Sequence, residues 1–131
     1  MNNLKFISLA VTVILISCSE PQSENATEKV KSYIQGTYTR VFEGEYSKGN
    51  DTLIITQPDV NNNLYTIKHN MSFQKIRNHQ SLSVEYKTED WTAIFNEETN
   101  LLLEQKKGKV ISFLPEENAL LLGNNKFEKI K

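Results

Sequence analysis

Ser81-Leu82-Ser83-Val84-Glu85-Tyr86-Lys87 alternates polar and apolar side chains without a break. Successive side chains of a strand point to opposite faces. The stretch therefore reads as a half-buried β-strand, with Leu82, Val84 and Tyr86 facing in and Ser, Glu and Lys facing out. The same alternation runs through Tyr38, Arg40 and Phe42, and through Trp91, Ala93 and Phe95. Leu53-Ile54-Ile55 and Leu101-Leu102-Leu103 are fuller apolar runs, suited to strands covered on both faces.

Turn chemistry punctuates these runs. It falls at Lys48-Gly49-Asn50-Asp51, Asn61-Asn62-Asn63, Arg77-Asn78-His79, Glu97-Glu98-Thr99-Asn100, Lys107-Gly108, Pro115-Glu116-Glu117-Asn118 and Gly123-Asn124-Asn125. Asn and Gly accept the positive φ that tight hairpins require. Breaks at intervals of about 8–12 residues, with links too short for crossovers, predict an all-β antiparallel meander of about eight to ten strands. It occupies residues 36–131 and closes into a small barrel or forms a strongly curved sheet, with a short N-terminal helix. Closure removes the exposed edges that invite aggregation. At the C-terminus, Phe127 is expected to be buried in the last strand. Ile130, three residues on, calls for a bulge near Glu128 or else covers the open end of the barrel. Lys129 and Lys131 are expected to lie in water.

The chain has 131 residues, 15 Lys+Arg, 16 Asp+Glu and a single Cys. That length holds one domain. The balanced charge argues against a general nucleic-acid binder, which needs a basic surface to neutralise phosphates. One Cys excludes a disulfide framework and a thiolate zinc site.

Phe6 to Ile16 (FISLAVTVILI) is an uncharged apolar run of about 16 Å as a helix, half of what a bilayer core of about 30 Å requires. It has the length of a signal-peptide core. Leu15-Ile16-Ser17-Cys18 follows directly and resembles the bacterial lipobox. The resemblance implies a signal peptide over residues 1–17, cut before Cys18, and a diacylglyceryl group with further acylation on Cys18. Three acyl chains anchor a protein irreversibly in practice. The membrane is thus an expected partner, reached through the N-terminal lipid, in the bacterial cell envelope and most simply at the outer membrane. Residues 18–35 then hold the lipidated Cys, a solvated linker (Ser19 to Thr27) and a helix of about 26–35. Asn25 and Glu28 have capping-box spacing, and Val30, Tyr33 and Ile34 share one helix face. A chain starting at Gly36 is expected to fold without this segment.

The body resembles small lipoproteins of Bacteroidota with a lipocalin-like β-meander, on Gly36-Thr37-Tyr38, Asp51-Thr52-Leu53 and the stretch from Gly108 to Ile130. The resemblance implies an envelope-facing β-domain and carries no catalytic residues. Asp51-Thr52-Leu53 also resembles the Asp-Thr/Ser-aliphatic site at which Bacteroidota O-glycosylate exported proteins, which implies Thr52 as an acceptor.

His69 and His79 lie ten residues apart across a turn and are read as surface residues without a third ligand, so no metal and no cofactor is expected. There is no Gly-x-Ser-x-Gly elbow, and of the paired carboxylates Glu89-Asp90, Glu97-Glu98 and Glu116-Glu117 the last two lie in apparent turns and read as solvated charge. The contact candidates are Trp91, Tyr65 and Tyr86, which otherwise fill the core, and the basic tip Lys106, Lys107 and Lys109. The sequence thus points to a non-catalytic binding or interaction module that meets an envelope protein or glycan. The alternative is a carrier of a small apolar ligand inside a barrel.

Overall fold

The structure is a computed structural model that describes residues 22–131, with side chains from Asn25 onward. One helix, α1 (Gln22–Ile34), precedes eight strands: β1 (Gly36–Glu43), β2 (Ser47–Thr56), β3 (Leu64–Arg77), β4 (Gln80–Asn96), β5 (Leu101–Glu104), β6 (Val110–Leu114), β7 (Ala119–Leu122) and β8 (Asn125–Lys129). All neighbours are antiparallel and follow chain order, and β1 pairs with β8 to close the barrel. The curved open sheet, the other outcome the sequence allowed, is not formed. No bulge falls at Glu128 itself, because Phe127 and Glu128 pair in regular register with Leu120 and Ala119; the expected slip near it comes two residues later, where Ile130 and Lys131 both face Thr37. Closure is completed beyond β8, where Ile130 N–H donates to Thr37 O and Thr37 N–H to Lys131 O. Ile130 is 58% exposed and is not part of the buried cluster.

Alternation decides the interior. Tyr38, Leu53, Ile55, Tyr65, Ile67, Trp91, Ala93, Phe95, Leu102, Ile111, Phe113, Leu120 and Phe127 form one buried cluster with Ile34 of α1. Ile54, Leu101 and Leu103 turn outward and are only half-buried, since the barrel wall is covered on one face alone.

The turns follow the Asn and Gly signals in most places. Asn78 and His79 both take positive φ between paired Arg77 and Gln80, as a two-residue hairpin of the favoured twist demands. Asn100, Asn118 and Gly123 also sit at positive φ. The turn expected at Lys48–Asp51 falls earlier, at Gly44–Tyr46, and all four residues belong to β2. Gly49 is instead the place where β3 comes close: a Cβ there would lie 2.1 Å from Ser72 O and 2.7 Å from Phe73 Cα.

The strands differ in length, and this shapes the molecule. β3 and β4 have 14 and 17 residues, whereas β5 has 4. β4 meets β5 only over Ala93–Asn96, so the upper parts of β1 to β4 rise past the barrel as an overhanging sheet. Leu82, Val84 and Tyr86 lie on this overhang. Trp91, Ala93 and Phe95 set the inward parity of β4, so Val84 and Tyr86 point the other way, and Tyr86 is 81% exposed, whereas Leu82 lies in the register shift between Val84 and Ser81. The alternation of the stretch was legible, but its polarity is inverted because no opposing wall exists at that height.

The opposite end is plugged. α1 lies across it, begins earlier than residue 26 and takes in part of the expected linker, so Asn25 and Glu28 are internal rather than a cap. Thr27 Oγ1 bonds Asn100 Oδ1 at 2.8 Å, Lys31 pairs with Glu97, and Lys29 pairs with Glu116. The face of Val30, Tyr33 and Ile34 packs on the core as its spacing predicts. Tyr33 stands edge-on to Tyr38 and Phe113, and Tyr38 Oη donates to Tyr33 O and Ile34 O. Lys129 is not a solvated charge. Its Nζ donates to Tyr33 O at 2.7 Å and lies 4.2 Å above the Tyr33 ring, a cation at a helix C-terminus, and burial pushes its pKa down.

Candidate functional site

The end away from α1 forms a polar mouth. Inward parity on β1, β2 and β3 aligns Arg40, Asp51 and His69 just above the apolar core, at Arg40↔Asp51 and Leu53↔His69. Asp51 is buried and receives Arg40 Nε at 2.7 Å and His69 Nε2 at 3.3 Å. The Arg40 guanidinium also lies 5.1 Å from the Phe42 ring and 5.5 Å from the Phe127 ring, and donates to Asn125. A buried carboxylate persists only when paired, and here a cation and an imidazole N–H satisfy it.

His69 is 6% exposed, not the surface residue expected. With Nε2–H given to Asp51, Nδ1 is a bare acceptor, buried and without a hydrogen-bond partner among the described residues. Burial pushes the His69 pKa below its ordinary value, against the opposing pull of Asp51. The folded state therefore favours neutral His69. Its contribution to stability is complete above the unfolded pKa of about 6.5 and is lost as pH falls below it, by at most about 1.4 kcal/mol per pH unit. Urea midpoints measured between pH 7 and 5 should drop more steeply for the wild type than for His69→Gln. Parallel slopes would mean that His69 is solvated.

On the other side of the mouth, Trp91 is held from three directions. Its Nε1 donates to Glu89 Oε2 at 3.1 Å, its ring lies 4.9 Å from the His69 ring, and Lys109 Nζ sits 4.1 Å from its centroid. Hydrogen bonds from Lys87 and Trp91 push the Glu89 pKa down to about 2, and Glu89 also faces Lys107 Nζ at 3.8 Å. Glu104, buried at the end of β5, shapes the turn to β6. Burial alone would raise its pKa. The backbone N–H groups of Lys107, Lys106 and Lys109 outweigh burial and hold the carboxylate charged. That turn aims three lysines at the rim. A cleft of about 210 Å³ opens there between Glu89, Asp90, Trp91, Glu104, Lys106 and Lys107.

The sequence candidates are thus split. Trp91, Lys106, Lys107 and Lys109 come together at the mouth. Tyr65 is buried toward the plugged end, 1% exposed, and does not join them. Tyr86 stands apart on the outer face of the overhang. Thr52 is half-buried at mid-strand on the outer wall, between Thr39 and Asn70, so its Asp-Thr-Leu triplet is not a turn. Cys18 lies outside the described residues.

Arg40, Asp51, His69, Glu89 and Glu104 were missed as a site. The signal was present in parity: Arg40 alternates with Tyr38 and Phe42, Asp51 with Leu53 and Ile55, His69 with Tyr65 and Ile67. Polar residues on an inward face are the informative exception. Among the described residues no three His, Cys, Asp or Glu side chains gather closely enough to hold a metal ion.

Fold and site together define the class: a closed antiparallel barrel of eight strands with one end plugged by a helix and a charged rim at the other. No family model matches the chain, and no curated protein or solved structure is significantly similar to it.

Proposed function

We propose that the chain is a lipid-anchored, non-catalytic binding module of the bacterial cell envelope, which engages an envelope protein or glycan through the open mouth of its barrel. The observation that carries this reading is the difference between the two ends. α1, which continues from the segment bearing Cys18, occupies one end; the charged rim and the overhang occupy the other. A tether on Cys18, most simply in the outer membrane, would leave the rim free to meet a partner. Thr52, on the outer wall, would take an O-glycan without obstructing either end.

The size of the cleft favours a macromolecular partner over a small ligand. About 210 Å³ is below the roughly 300–1,000 Å³ of small-molecule sites. Carriage of an apolar ligand inside the barrel is the weaker reading, because Tyr38, Tyr65, Phe95 and Phe127 fill that space.

The test is site-specific photocrosslinking of the full chain in envelope membranes, with the photoreactive residue at Lys107 on the rim or at Glu116 on the plugged end. The expected result is a discrete adduct from position 107 and none from position 116. Adducts from position 116 alone would reverse the assignment of the ends.

A further inference from the structure

We infer that the upper edge of β4 pairs with the same edge of a second copy of this chain. β3 covers one side of β4 along its length, but β5 covers the other side only from Ala93 onward. Two hydrogen bonds fix the direction of the backbone groups. Phe95 N–H donates to Asn63 O on the β3 side, and Thr92 O accepts from Gln105 N–H on the β5 side. Alternation then turns the N–H and C=O of Val84, Tyr86, Thr88 and Asp90 toward the open side. This edge has no proline, and such an edge is a template for another strand.

The side chains select a second copy and a register. An antiparallel two-fold through Tyr86 places Val84 opposite Thr88 of the second copy, with every outward N–H and C=O facing its complement, for about six main-chain hydrogen bonds. On the inner face it sets Glu85 opposite Lys87 of the second copy, twice by symmetry. On the outer face the two exposed Tyr86 rings lie side by side. Moving the two-fold to Lys87 would oppose Lys87 to itself and Glu85 to Glu89, both like charges. Moving it to Thr88 would keep about six main-chain hydrogen bonds, but it would bring Tyr86 of the second copy against Asp90, where Lys106 and Lys107 already line the cleft at the rim. The irregularity between Gln74 and Ile76 ends the ladder toward the hairpin tip.

The experiment uses the full chain. Cα atoms of directly opposed hydrogen-bonded residues lie about 5.5 Å apart, within reach of a disulfide, so Tyr86→Cys should give a cross-linked dimer on mild oxidation. The wild type, with Cys18 alone, sets the background. Adding Lys87→Glu should lower the dimer yield about tenfold, and adding Glu85→Lys to that variant should restore it. These positions are exposed on the overhang, and unchanged thermal melting would show that the fold is retained. The inference is overturned by a Tyr86→Cys dimer yield no higher than background, by a yield indifferent to Lys87→Glu, by failure of the charge swap to restore it, or by capture of a different protein in place of the dimer.

Discussion

A chain from which Gln22–Ile34 has been deleted is expected to lose its cooperative thermal transition. Ile34 is fully buried in the barrel core, and Tyr33 closes the end above Tyr38 and Phe113. Deletion removes a core aliphatic side chain, which alone costs about 2–5 kcal/mol. It also strips the buried Tyr38 hydroxyl of both carbonyl acceptors, at about 1–3 kcal/mol, and leaves Lys129 half-buried with no helix terminus to face. A small domain has only about 5–15 kcal/mol of stability in total, so these losses are of the same order as the whole. This reverses the expectation that a chain from Gly36 would suffice. Far-ultraviolet circular dichroism on heating is the measurement. A sharp transition at the wild-type midpoint would mean that the helix rests on a barrel already closed without it.

Phe127→Ala is expected to cost about 3–5 kcal/mol, the range for emptying a buried aromatic site. Phe127 is 1% exposed and lies on β8 opposite Leu120, beside the narrow seam where β1 and β8 pair at Tyr38↔Lys129 and Thr39↔Glu128. Its ring also shields the Arg40 guanidinium, so the cavity would admit water to the Arg40–Asp51 pair. Urea unfolding should show the midpoint shift with little change in slope, whereas Lys131→Ala should leave both in place. An unchanged midpoint for Phe127→Ala would mean that the sheet closes without its last strand.

Much of the barrel was legible because it depends on local rules. Period-two alternation located the inward residues on β1 and β4 around Tyr38 and Trp91. Asn and Gly located the turns at Arg77–His79, Glu97–Asn100 and Gly123–Asn125. The failures are of another kind. Strand length relative to its neighbours is not written in alternation, so the overhang could not be seen and Tyr86 was turned to the wrong face. Gly49 read as a turn because glycine usually breaks strands, whereas here it admits the β3 backbone. Lys129 read as solvated because its partner, Tyr33 O, is 96 residues away in sequence. The mouth was half legible. Trp91 and the lysines stood out by type. Asp51 and His69 become a pair only through the β2–β3 register, which no local signal specifies.

Trp91 is the chain's single tryptophan, and it lies at the mouth. A fluorine nuclear magnetic resonance spectrum of the full chain labelled with 5-fluorotryptophan therefore reports on that site alone. When solubilised envelope components are added, the resonance is expected to shift or broaden, and Lys107→Glu should weaken the response. A resonance that stays in place while the chain co-sediments with envelope material would show that the partner binds elsewhere, and would contradict the assignment of the mouth as the binding end.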